Sequence, residues 1–531
     1  MTRIAKLAIS IVGEKAAARF DEATKSVAES QERKLQEILR RNAGTEYGKE
    51  FGFGSLRSLA EYAKAVPVVT YENIAERVQR MARGEPNVLT AEAPVMFART
   101  SGTTGEPKLV PVTPTCQGRD HADQMRTWLY HAQQDHPGIF SGKVLTLVSP
   151  AIEGHTPAGI PFGSTSGHIY RNLPGFVRKT YVVPYEVFET EDHDAEFYAV
   201  MRLGLVSEVR FLCTANPSSI IKLCEFARDH ADDLIRDVRD GTLKQDLEYP
   251  KEARAIVQER CKPEPEIARA LEAMRGRRDG KLLPADYWPD LELIGCWKGG
   301  TVGSYVQHFG EWFDPDGRGP KAVRDWGYLS SEARGSIPIT DEGSGGVLTV
   351  STNVYEFVEA AQVEAEPDSP ASWDFLGAHE LDSLRAGMRA VDLGAAPGGW
   401  TWQLARRGVR VTAVDNGPLK GEVVDDPLVT HVRADGLKYL PKRPVDWMVC
   451  DIVEQPSRIA ALVARWIGEG HARQAIFNLK LPMKKRYDEV RRCESIIRDA
   501  LAKARIEQTL VLRQLYHDRE EVTGYLRNPR E

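Results

Sequence analysis

The chain has 531 residues, of which 42% are hydrophobic and 27% charged, a composition typical of a globular protein with more than one domain. No run of about 18 apolar residues occurs, so no membrane-spanning helix is expected. The net charge is −6, but the residues from Arg385 onward carry 26 Lys and Arg against 19 Asp and Glu, whereas the preceding 384 residues carry 44 against 57. The basic C-terminal part favours a polyanionic partner, although two differently charged domains without a nucleic acid would give the same pattern.

The seven cysteines are scattered and include no CxxC pair. An odd, scattered set predicts reduced thiols in a cytoplasmic protein and argues against a disulfide framework or a zinc site. The first twenty residues contain a short apolar patch that ends at Glu14 and Lys15 without a cleavage-type sequence. This pattern predicts an amphipathic helix rather than a signal peptide.

The predicted elements change character twice along the chain. Residues 1 to about 90 have helical patterns, such as QERKLQEILRRNAG, which is predicted to end at a glycine cap. From 95 to about 350, short β-type runs such as KVLTLVSP, YVVPYEV and VRFLCTANP alternate with helices and predict an α/β domain. The acidic segment AQVEAEPDSPASWDFLGAHELDSL is predicted to be a connector. After it, a βαβ series predicts a doubly wound, Rossmann-like sheet.

In the N-terminal part, FARTSGTTGEPKLVPVT (residues 97–113) contains a loop rich in Ser, Thr and Gly. Hydroxyl and backbone N–H groups of such a loop can cradle phosphates, and the ammonium group of Lys108 adds positive charge. The loop lacks the G-K-[ST] of a Walker A motif, and a flexible hairpin loop is the alternative. The candidate phosphate-binding residues are Thr100, Ser101, Gly102, Thr103, Thr104, Gly105 and Lys108.

Two later segments could belong to the same site. YLSSEARGSIP (residues 328–338) places Glu332 after a short polar run, where its carboxylate is either a magnesium ligand or a solvated side chain. ELIGCWKGGTVGSYV (residues 292–306) could shape an acyl pocket, or its Trp297 and paired glycines could be core and turn.

Together these three segments resemble the auxin-responsive promoter family of acyl-acid amido synthetases. Members of that family are adenylate-forming enzymes that activate a carboxylate with ATP and pass the acyl group to an amine. The resemblance covers about residues 10 to 382 and implies a domain over residues 1–382 that binds ATP with magnesium, a small carboxylic acid and an amine. It adds Tyr328, Ser331 and Glu332 to the ATP-binding residues above. In that family a third motif, Y-R-x-G-D, and a small mobile C-terminal domain follow, but here the methyltransferase-like strand comes instead. We therefore expect ATP and an acyl acid to bind, with full ligase turnover weak or absent.

In the C-terminal part, VDLGAAPGGW predicts a strand that turns through a glycine-rich loop into a helix. Glycines at this point let a ligand approach the backbone closely, and Asp415 ends the next strand, where its carboxylate can accept hydrogen bonds from ribose hydroxyls. The loop is G-A-A-P-G-G rather than the dinucleotide pattern G-x-G-x-x-G, and a proline stands where a donor N–H would be needed. S-adenosylmethionine, which has no phosphate, fits better than a dinucleotide; a tight structural turn is the third option.

Three more charged residues follow predicted strands. Asp435 is suited to the adenine amine, and Asp451 and Lys480 end two further strands at the same edge of the sheet. Lys480 beside a carboxylate could be a structural ion pair. In this setting, however, a buried lysine with a depressed pKa could take the proton of a ribose hydroxyl or steer its oxygen.

The segments VDLGAAPGGWTWQL, VDNGP, VCDIVEQP, IFNLKLPMKKRY and RQLYHDREEVT resemble the catalytic domain of the ribosomal RNA large subunit methyltransferase M family, from about Gly387 to Thr523. That family 2′-O-methylates a cytidine of large-subunit ribosomal RNA with S-adenosylmethionine. The resemblance implies a methyltransferase domain over residues 383–531, with Lys480 as proton acceptor and Asp451 and Glu521 as further members of a Lys-Asp-Lys-Glu tetrad. It assigns cofactor contacts to Ala396, Pro397, Gly398, Gly399, Asp415, Asp435 and Asp451.

The tetrad's first lysine should precede the glycine loop, yet no lysine occurs between Lys321 and Lys420. The sequence therefore predicts two enzyme domains joined near residues 381 to 387, with RNA ribose methylation as the leading function. An ATP-dependent acyl-acid amido synthetase with an inactive methyltransferase appendage is the alternative. A fusion that binds ligands without turnover is the third possibility.

Overall fold

The computed structural model describes residues 3–100, 107–358, 360–367, 370, 373, 375–378, 387–506, 509–514 and 520–527. The chain divides into two units, Met1–His379 and Glu380–Glu531. The predicted domain boundary between residues 382 and 383 lies outside the described residues. None of the described helices is both long and apolar enough to cross a membrane.

The N-terminal unit begins with five helices. They are α1 Arg3–Lys25, α2 Val27–Asn42, α3 Glu46–Glu50, α4 Leu59–Ala65 and α5 Tyr71–Ala82. The predicted glycine cap of α2 is wrong, because the helix ends at Asn42 with Ala43 still in a right-handed helical conformation. Short helices α3 and α4 each start at a side-chain cap, since Thr45 and Ser58 accept hydrogen bonds from backbone N–H groups of the first turn.

Small sheets and helices make up the rest of this unit. The strands are β1 Met96–Arg99, β2 Leu109–Val112, β3 Lys143–Thr146, β4 Gly154–His155, β5 Pro161–Gly163, β6 Val209–Cys213, β7 Leu293–Gly295, β8 Ala322–Arg324, β9 Ser336–Ile337, β10 Val347–Leu348, β11 Glu356–Phe357 and β12 Leu376–Gly377. The helices are α6 Ala122–Asp135, α7 Thr165–Arg171, α8 Gly175–Arg178, α9 His193–Gly204, α10 Pro217–Asp229, α11 Ala231–Asp240, α12 Lys251–Arg260, α13 Pro265–Gly276, α14 Pro284–Tyr287, α15 Phe309–Phe313 and α16 Ala360–Ala365. The main sheet runs β3-β6-β7-β8, all parallel, and a second runs β2-β1-β5-β4.

Two further sequence predictions for this unit are wrong. The run YVVPYEV does not form a strand: Tyr181 makes one isolated bridge to Val144, and residues Tyr185–Glu189 form a 3-10 helix that starts at Pro184. Proline has no N–H for a sheet ladder, which explains why the run cannot continue as a strand. The predicted connector also contains regular structure, namely α16 and strand β12, which pairs antiparallel with β11.

The C-terminal unit is a doubly wound sheet, as predicted. Its strands are β13 Arg389–Leu393, β14 Arg410–Val414, β15 Val429–Val432, β16 Val445–Cys450, β17 Ala472–Lys480, β18 Thr509–Arg513 and β19 Glu521–Arg527, and its helices are α17 Gly399–Ala405, α18 Pro456–Gly468 and α19 Arg486–Lys503. The order is β15-β14-β13-β16-β17-β19-β18. The first five are parallel and β19 is antiparallel to both neighbours.

The chain reverses its direction of winding between β13 and β16. From β13 it moves outward through β14 and β15, then returns to β16 on the other side of β13. The helices that follow β13 and β16 therefore lie on opposite faces of the sheet, and a crevice opens at the carboxyl ends of these two strands. The core below is apolar: Val391, Met448 and Phe477 of the central strands are buried against Ile459 and Ile497 of α18 and α19.

Candidate functional site

The candidate site of the C-terminal unit is built at this crevice. The glycine-rich loop follows β13, and Asp451 follows β16, with its N–H donating to the carbonyl of Leu393 at 3.1 Å. The loop is fastened to β14 as well, because the N–H of Gly394 donates to the carbonyl of Val414 at 3.0 Å. The fold thus brings the loop and the predicted strand-end carboxylate to one point.

Two glycines of the loop occupy backbone conformations that side chains rarely adopt. Gly394 has φ +79° and Gly398 has φ +119°. A Cβ at Gly394 would lie 2.8 Å from Cγ1 of Ile452, and one at Gly398 would lie 2.7 Å from Cγ2 of Val423. The loop therefore requires glycine for conformation and for space, and its backbone passes within contact distance of its neighbours.

Asp415 holds the loop from the end of β14. Its two carboxylate oxygens accept hydrogen bonds from the N–H groups of Ala396 at 3.0 Å and Gly417 at 2.7 Å. Pro397 follows Ala396 through a cis peptide bond, and its carbonyl accepts from the N–H of Lys420 at 2.8 Å. Ala396 and Asp415, which the sequence places nineteen residues apart, are thus in direct contact.

Asp435 lies beside the same loop. A Cβ at its neighbour Gly436 would meet Cδ1 of Ile452 at 2.9 Å and the backbone nitrogen of Gly394 at 3.7 Å. The carboxylate of Asp435 accepts from the N–H of Leu437 at 3.0 Å. The structure therefore places Asp435 at the rim of the crevice.

Sequence reasoning missed one residue of the site, Asp392 in β13. Its side chain is buried, Thr401 donates to one carboxylate oxygen at 2.6 Å, and the other oxygen, Oδ1, has no hydrogen-bond partner among the described residues. Burial raises the pKa of Asp392 to about 6, assisted by the charges of Asp451 and Asp415. The available signal was an acidic residue at the penultimate position of a strand whose other residues after Arg389 are apolar.

Lys480, Asp451 and Glu521 meet as an ion triad. The Nζ of Lys480 lies 2.7 Å from Oδ1 of Asp451 and also pairs with Oε2 of Glu521. Lys480 is the last residue of β17 and Glu521 the first of β19, and the two are direct partners in the antiparallel ladder. Asn478 supports the triad by donating to Asp451 at 3.0 Å.

The pairing decides the charge of Lys480. Burial by itself would lower the pKa of Lys480, but hydrogen bonds from its ammonium group to Asp451 and Glu521 outweigh burial, so the pKa is raised. The expectation of a depressed pKa is wrong for the free protein. In this state Lys480 is an ammonium ion, which favours the steering role over that of a resident base.

The N-terminal candidate loop closes a hairpin. Strands β1 and β2 are antiparallel, and at the loop end of the hairpin the N–H of Thr100 donates to the carbonyl of Lys108, whose own N–H donates to Oγ1 of Thr100, both at 3.0 Å. The Nζ of Lys108 pairs with Glu72 at 2.7 Å and lies 5.0 Å from the ring centre of Tyr71. The predicted residues Ser101, Gly102, Thr103, Thr104 and Gly105 lie outside the described residues.

The other predicted ATP residues form a tight turn on the surface. Tyr328 and Glu332 are exposed and Ser331 is partly buried. The N–H of Gly335 donates to the carbonyl of Tyr328 at 2.7 Å. No group of three or more potential metal ligands occurs among the described residues, and magnesium at Glu332 stays a prediction. In the third segment, Leu293, Ile294 and Cys296 are fully buried core residues, whereas Trp297 is only partly buried.

Comparison with known proteins identifies both units. The model of the GH3 family N-terminal domain matches residues 16–316, more than half of the chain. The chain belongs to the GH3 family. The AtGH3.15 acyl acid amido synthetase, solved in complex with 2,4-DB, shares the fold of this part with a TM-score of 0.59 and 23% identity, covering 66% of this chain and 62% of its own. The predicted adenylate-forming-type fold of the GH3 domain is confirmed.

The FtsJ-like methyltransferase model matches residues 375–504, so the chain joins a GH3 domain to a methyltransferase domain, as predicted. Ribosomal RNA large subunit methyltransferase M of Methylococcus capsulatus is 64% identical over 143 residues, which are 27% of this chain and 41% of the relative. The same enzyme of Stutzerimonas stutzeri is 45% identical over 216 residues, 40% of this chain and 61% of the relative. The chain thus spans less than two thirds of these relatives' length.

A pair of alanine substitutions tests the glycine loop. Gly398→Ala should destabilise the protein by about 1 to 3 kcal/mol, because it combines a positive φ with a contact to Val423. Gly399→Ala is the matched control: a Cβ there meets nothing within 4 Å, and alanine favours the first turn of α17. Thermal unfolding of both variants gives the comparison, and equal stability would contradict this loop conformation.

Proposed function

We propose that the C-terminal unit uses S-adenosylmethionine to methylate the 2′-hydroxyl of a cytidine in large-subunit ribosomal RNA. The observation that carries the proposal is the ion triad of Lys480, Asp451 and Glu521 beside a glycine loop lined with carboxylates. The identity to ribosomal RNA large subunit methyltransferase M over the same residues supports the choice of substrate.

The charges at the crevice suit a cationic cofactor. The carboxylates of Asp415 and Asp451 lie close enough to Asp392 to raise its pKa. One oxygen of Asp392, Oδ1, has no hydrogen-bond partner among the described residues. Three carboxylates would repel a pyrophosphate but attract a sulfonium and an ammonium group. When bound, S-adenosylmethionine supplies an electrophilic methyl group. The residues proposed to hold it are Ala396, Pro397, Gly398, Gly399, Asp415, Asp435 and Asp451, with Asp392 added.

The triad's own chemistry follows from its geometry. The ammonium group of Lys480 can donate a hydrogen bond to the ribose hydroxyl oxygen and so orient its lone pair, while the two carboxylates fix the direction of Nζ. A positive charge nearby lowers a lysine pKa, so that after the complex has formed Lys480 would release a proton to solvent and, as a neutral amine, could then accept the hydroxyl proton. Proton transfer of this kind contributes about 10² to 10⁴-fold to a rate.

The GH3 domain is proposed to bind ATP at the β1–β2 hairpin and a small carboxylic acid beside it, as an acyl-adenylating unit. The observation that favours this is Lys108, held at the loop end of the hairpin, where the Ser/Thr/Gly loop begins and ends. Its present partner, Glu72, is an exposed carboxylate whose pKa the hydrogen bond from Lys108 lowers to about 2. A triphosphate would compete with Glu72 for this ammonium group.

Methyl transfer to unmodified large-subunit ribosomal RNA tests the leading proposal. Lys480→Ala should lower the transfer of radiolabelled methyl groups by about 10² to 10⁴-fold, because the group that orients the hydroxyl is lost. Cofactor affinity, measured by calorimetry, should change little. Lys503→Ala, an exposed lysine at the far end of α19, is the control. Full activity of Lys480→Ala would refute the assigned role.

The variant Asp392→Asn should change protein stability and cofactor affinity in opposite directions. The pKa of Asp392 is raised to about 6 in the folded protein from about 3.9 when unfolded, so ionisation destabilises the fold. The penalty is absent below about pH 4, grows as the pH rises to 6, and is complete above that value. Asp392→Asn should therefore stabilise the protein at pH 8 by on the order of 3 kcal/mol, and not at pH 4. The same variant should bind S-adenosylmethionine more weakly, whereas exposed Asp425→Asn should change neither property.

ATP–pyrophosphate exchange driven by small carboxylic acids tests the GH3 domain. Loss of a charge-assisted hydrogen bond is worth about 1.5 to 3 kcal/mol, so Lys108→Ala should reduce exchange by about tenfold or more. Lys64→Ala, an exposed lysine in the last turn of α4, serves as the control. Exchange that does not depend on Lys108 would contradict the assigned phosphate contact.

A further inference from the structure

Three large apolar side chains stand exposed beside the ion triad. Val453 is 84% exposed, Met483 83% and Tyr487 74%. Val453 lies two residues after Asp451, and Met483 and Tyr487 lie three and seven residues after Lys480. Because Lys480 and Asp451 are in contact, the two loops leave the sheet from one point. Isolated exposed hydrophobic residues are ordinary, but three around one charged centre indicate a contact surface.

Two cations stand within the same surface. Lys484 and Lys485 are exposed, and neither forms an ion pair with a described residue, whereas the adjacent Arg486 pairs with Glu520. Lys485 has φ +57°, a left-handed conformation that is uncommon for a residue with a side chain. The nearby acidic residues Asp488 and Glu489 lie in the first turn of α19, where the helix dipole favours them, and Glu489 is paired with Arg492. Free positive charge therefore flanks the apolar side chains.

We propose that Val453, Met483 and Tyr487 form a nucleobase seat for an unstacked base of single-stranded RNA, and that Lys484 and Lys485 contact the neighbouring phosphates. The inference rests on the proposed methyl transfer, since it assigns the substrate side of the same triad.

The chemistry of the substrate explains why a seat is needed. A ribose hydroxyl can reach Nζ of Lys480 only if its nucleotide is held at a fixed distance and orientation. Proteins recognise single-stranded RNA by stacking bases on aromatic and apolar side chains, because every base has a π-face. Phosphate contacts fix the register along the strand. An aromatic ring, a thioether and a branched aliphatic side chain beside two unpaired lysines match these requirements.

Binding without cofactor tests the seat. The probe is a fluorescein-labelled cytidine oligoribonucleotide of about 12 nucleotides, single-stranded or annealed to its complement. Tyr487→Ala should weaken single-strand binding by about 5- to 150-fold, the loss expected for one stacked base. Tyr487→Phe keeps the ring and should restore affinity. Neither change should alter the binding of the duplex.

The lysines are tested by salt dependence. The double variant Lys484→Gln, Lys485→Asn should reduce the slope of log K against log salt by about 1.4, since each single-strand phosphate contact contributes about 0.7. Asparagine tolerates the left-handed conformation of residue 485. Tyr487→Ala should leave the slope unchanged. Lys503→Gln removes one positive charge about 25 Å further along α19 and should have little effect.

The outcomes separate the seat from the proposed function. If the wild type transfers methyl groups to ribosomal RNA but Tyr487→Ala keeps its single-strand affinity and its KM for RNA, the seat is refuted while the function stands. If oligonucleotide binding depends on the Tyr487 ring but no methyl transfer occurs, the seat stands and the proposed function fails. If the wild type does not bind the single strand at all, this surface serves another partner and the inference is overturned.

Discussion

The ammonium group of Lys480, held between Asp451 and Glu521, fixes the candidate site because it joins three strands. Asp451 extends β16, Lys480 ends β17 and Glu521 begins β19 opposite Lys480. Side chains alternate between faces along a strand, so a slip of one residue between β17 and β19 would turn Glu521 away from the lysine. The register of the sheet and the geometry of the triad are therefore the same constraint. The apolar core under β16 and β17 holds that register in place.

The crevice places the glycine loop and Asp415 near the ion triad. The reversal of winding between β13 and β16 opens the carboxyl edge of the sheet, and the glycine loop closes over it in conformations that only glycine adopts readily. Asp415 uses both carboxylate oxygens to hold this loop. As a result, one edge of the sheet carries a rigid backbone, several carboxylates and one lysine. An excess of carboxylates over cationic side chains at this edge is expected of a site for a cationic ligand, whereas a phosphate site would carry mostly N–H groups and cations.

Much of this could be predicted from the sequence, because strand-end residues in a parallel sheet must converge. Alternation of β and α patterns was enough to bring Asp415, Asp451 and Lys480 to one edge. The direct pairing of Glu521 with Lys480 depends on an antiparallel register, which the pattern alone does not specify. The raised pKa of Lys480 could not be predicted either, because it depends on how two carboxylates outweigh burial. In YVVPYEV the β-type composition was misleading, since Pro184 starts a 3-10 helix.

The buried carboxylate of Asp392 lowers the stability of the folded protein when it is ionised. A buried carboxylate with only one hydroxyl donor among the described residues loses more hydration than it regains, and its raised pKa is the measure of that loss. An apolar or amide side chain at this position of β13 would satisfy the core better. Residues that break such a rule are expected at functional sites, where the missing partner is supplied by a ligand. A cationic cofactor in the crevice would neutralise the repulsion among Asp392, Asp415 and Asp451. Under the proposed function, the free energy that the unliganded protein loses by keeping these charges close together would be recovered when a cation binds, and the crevice would then favour a cation over an anion.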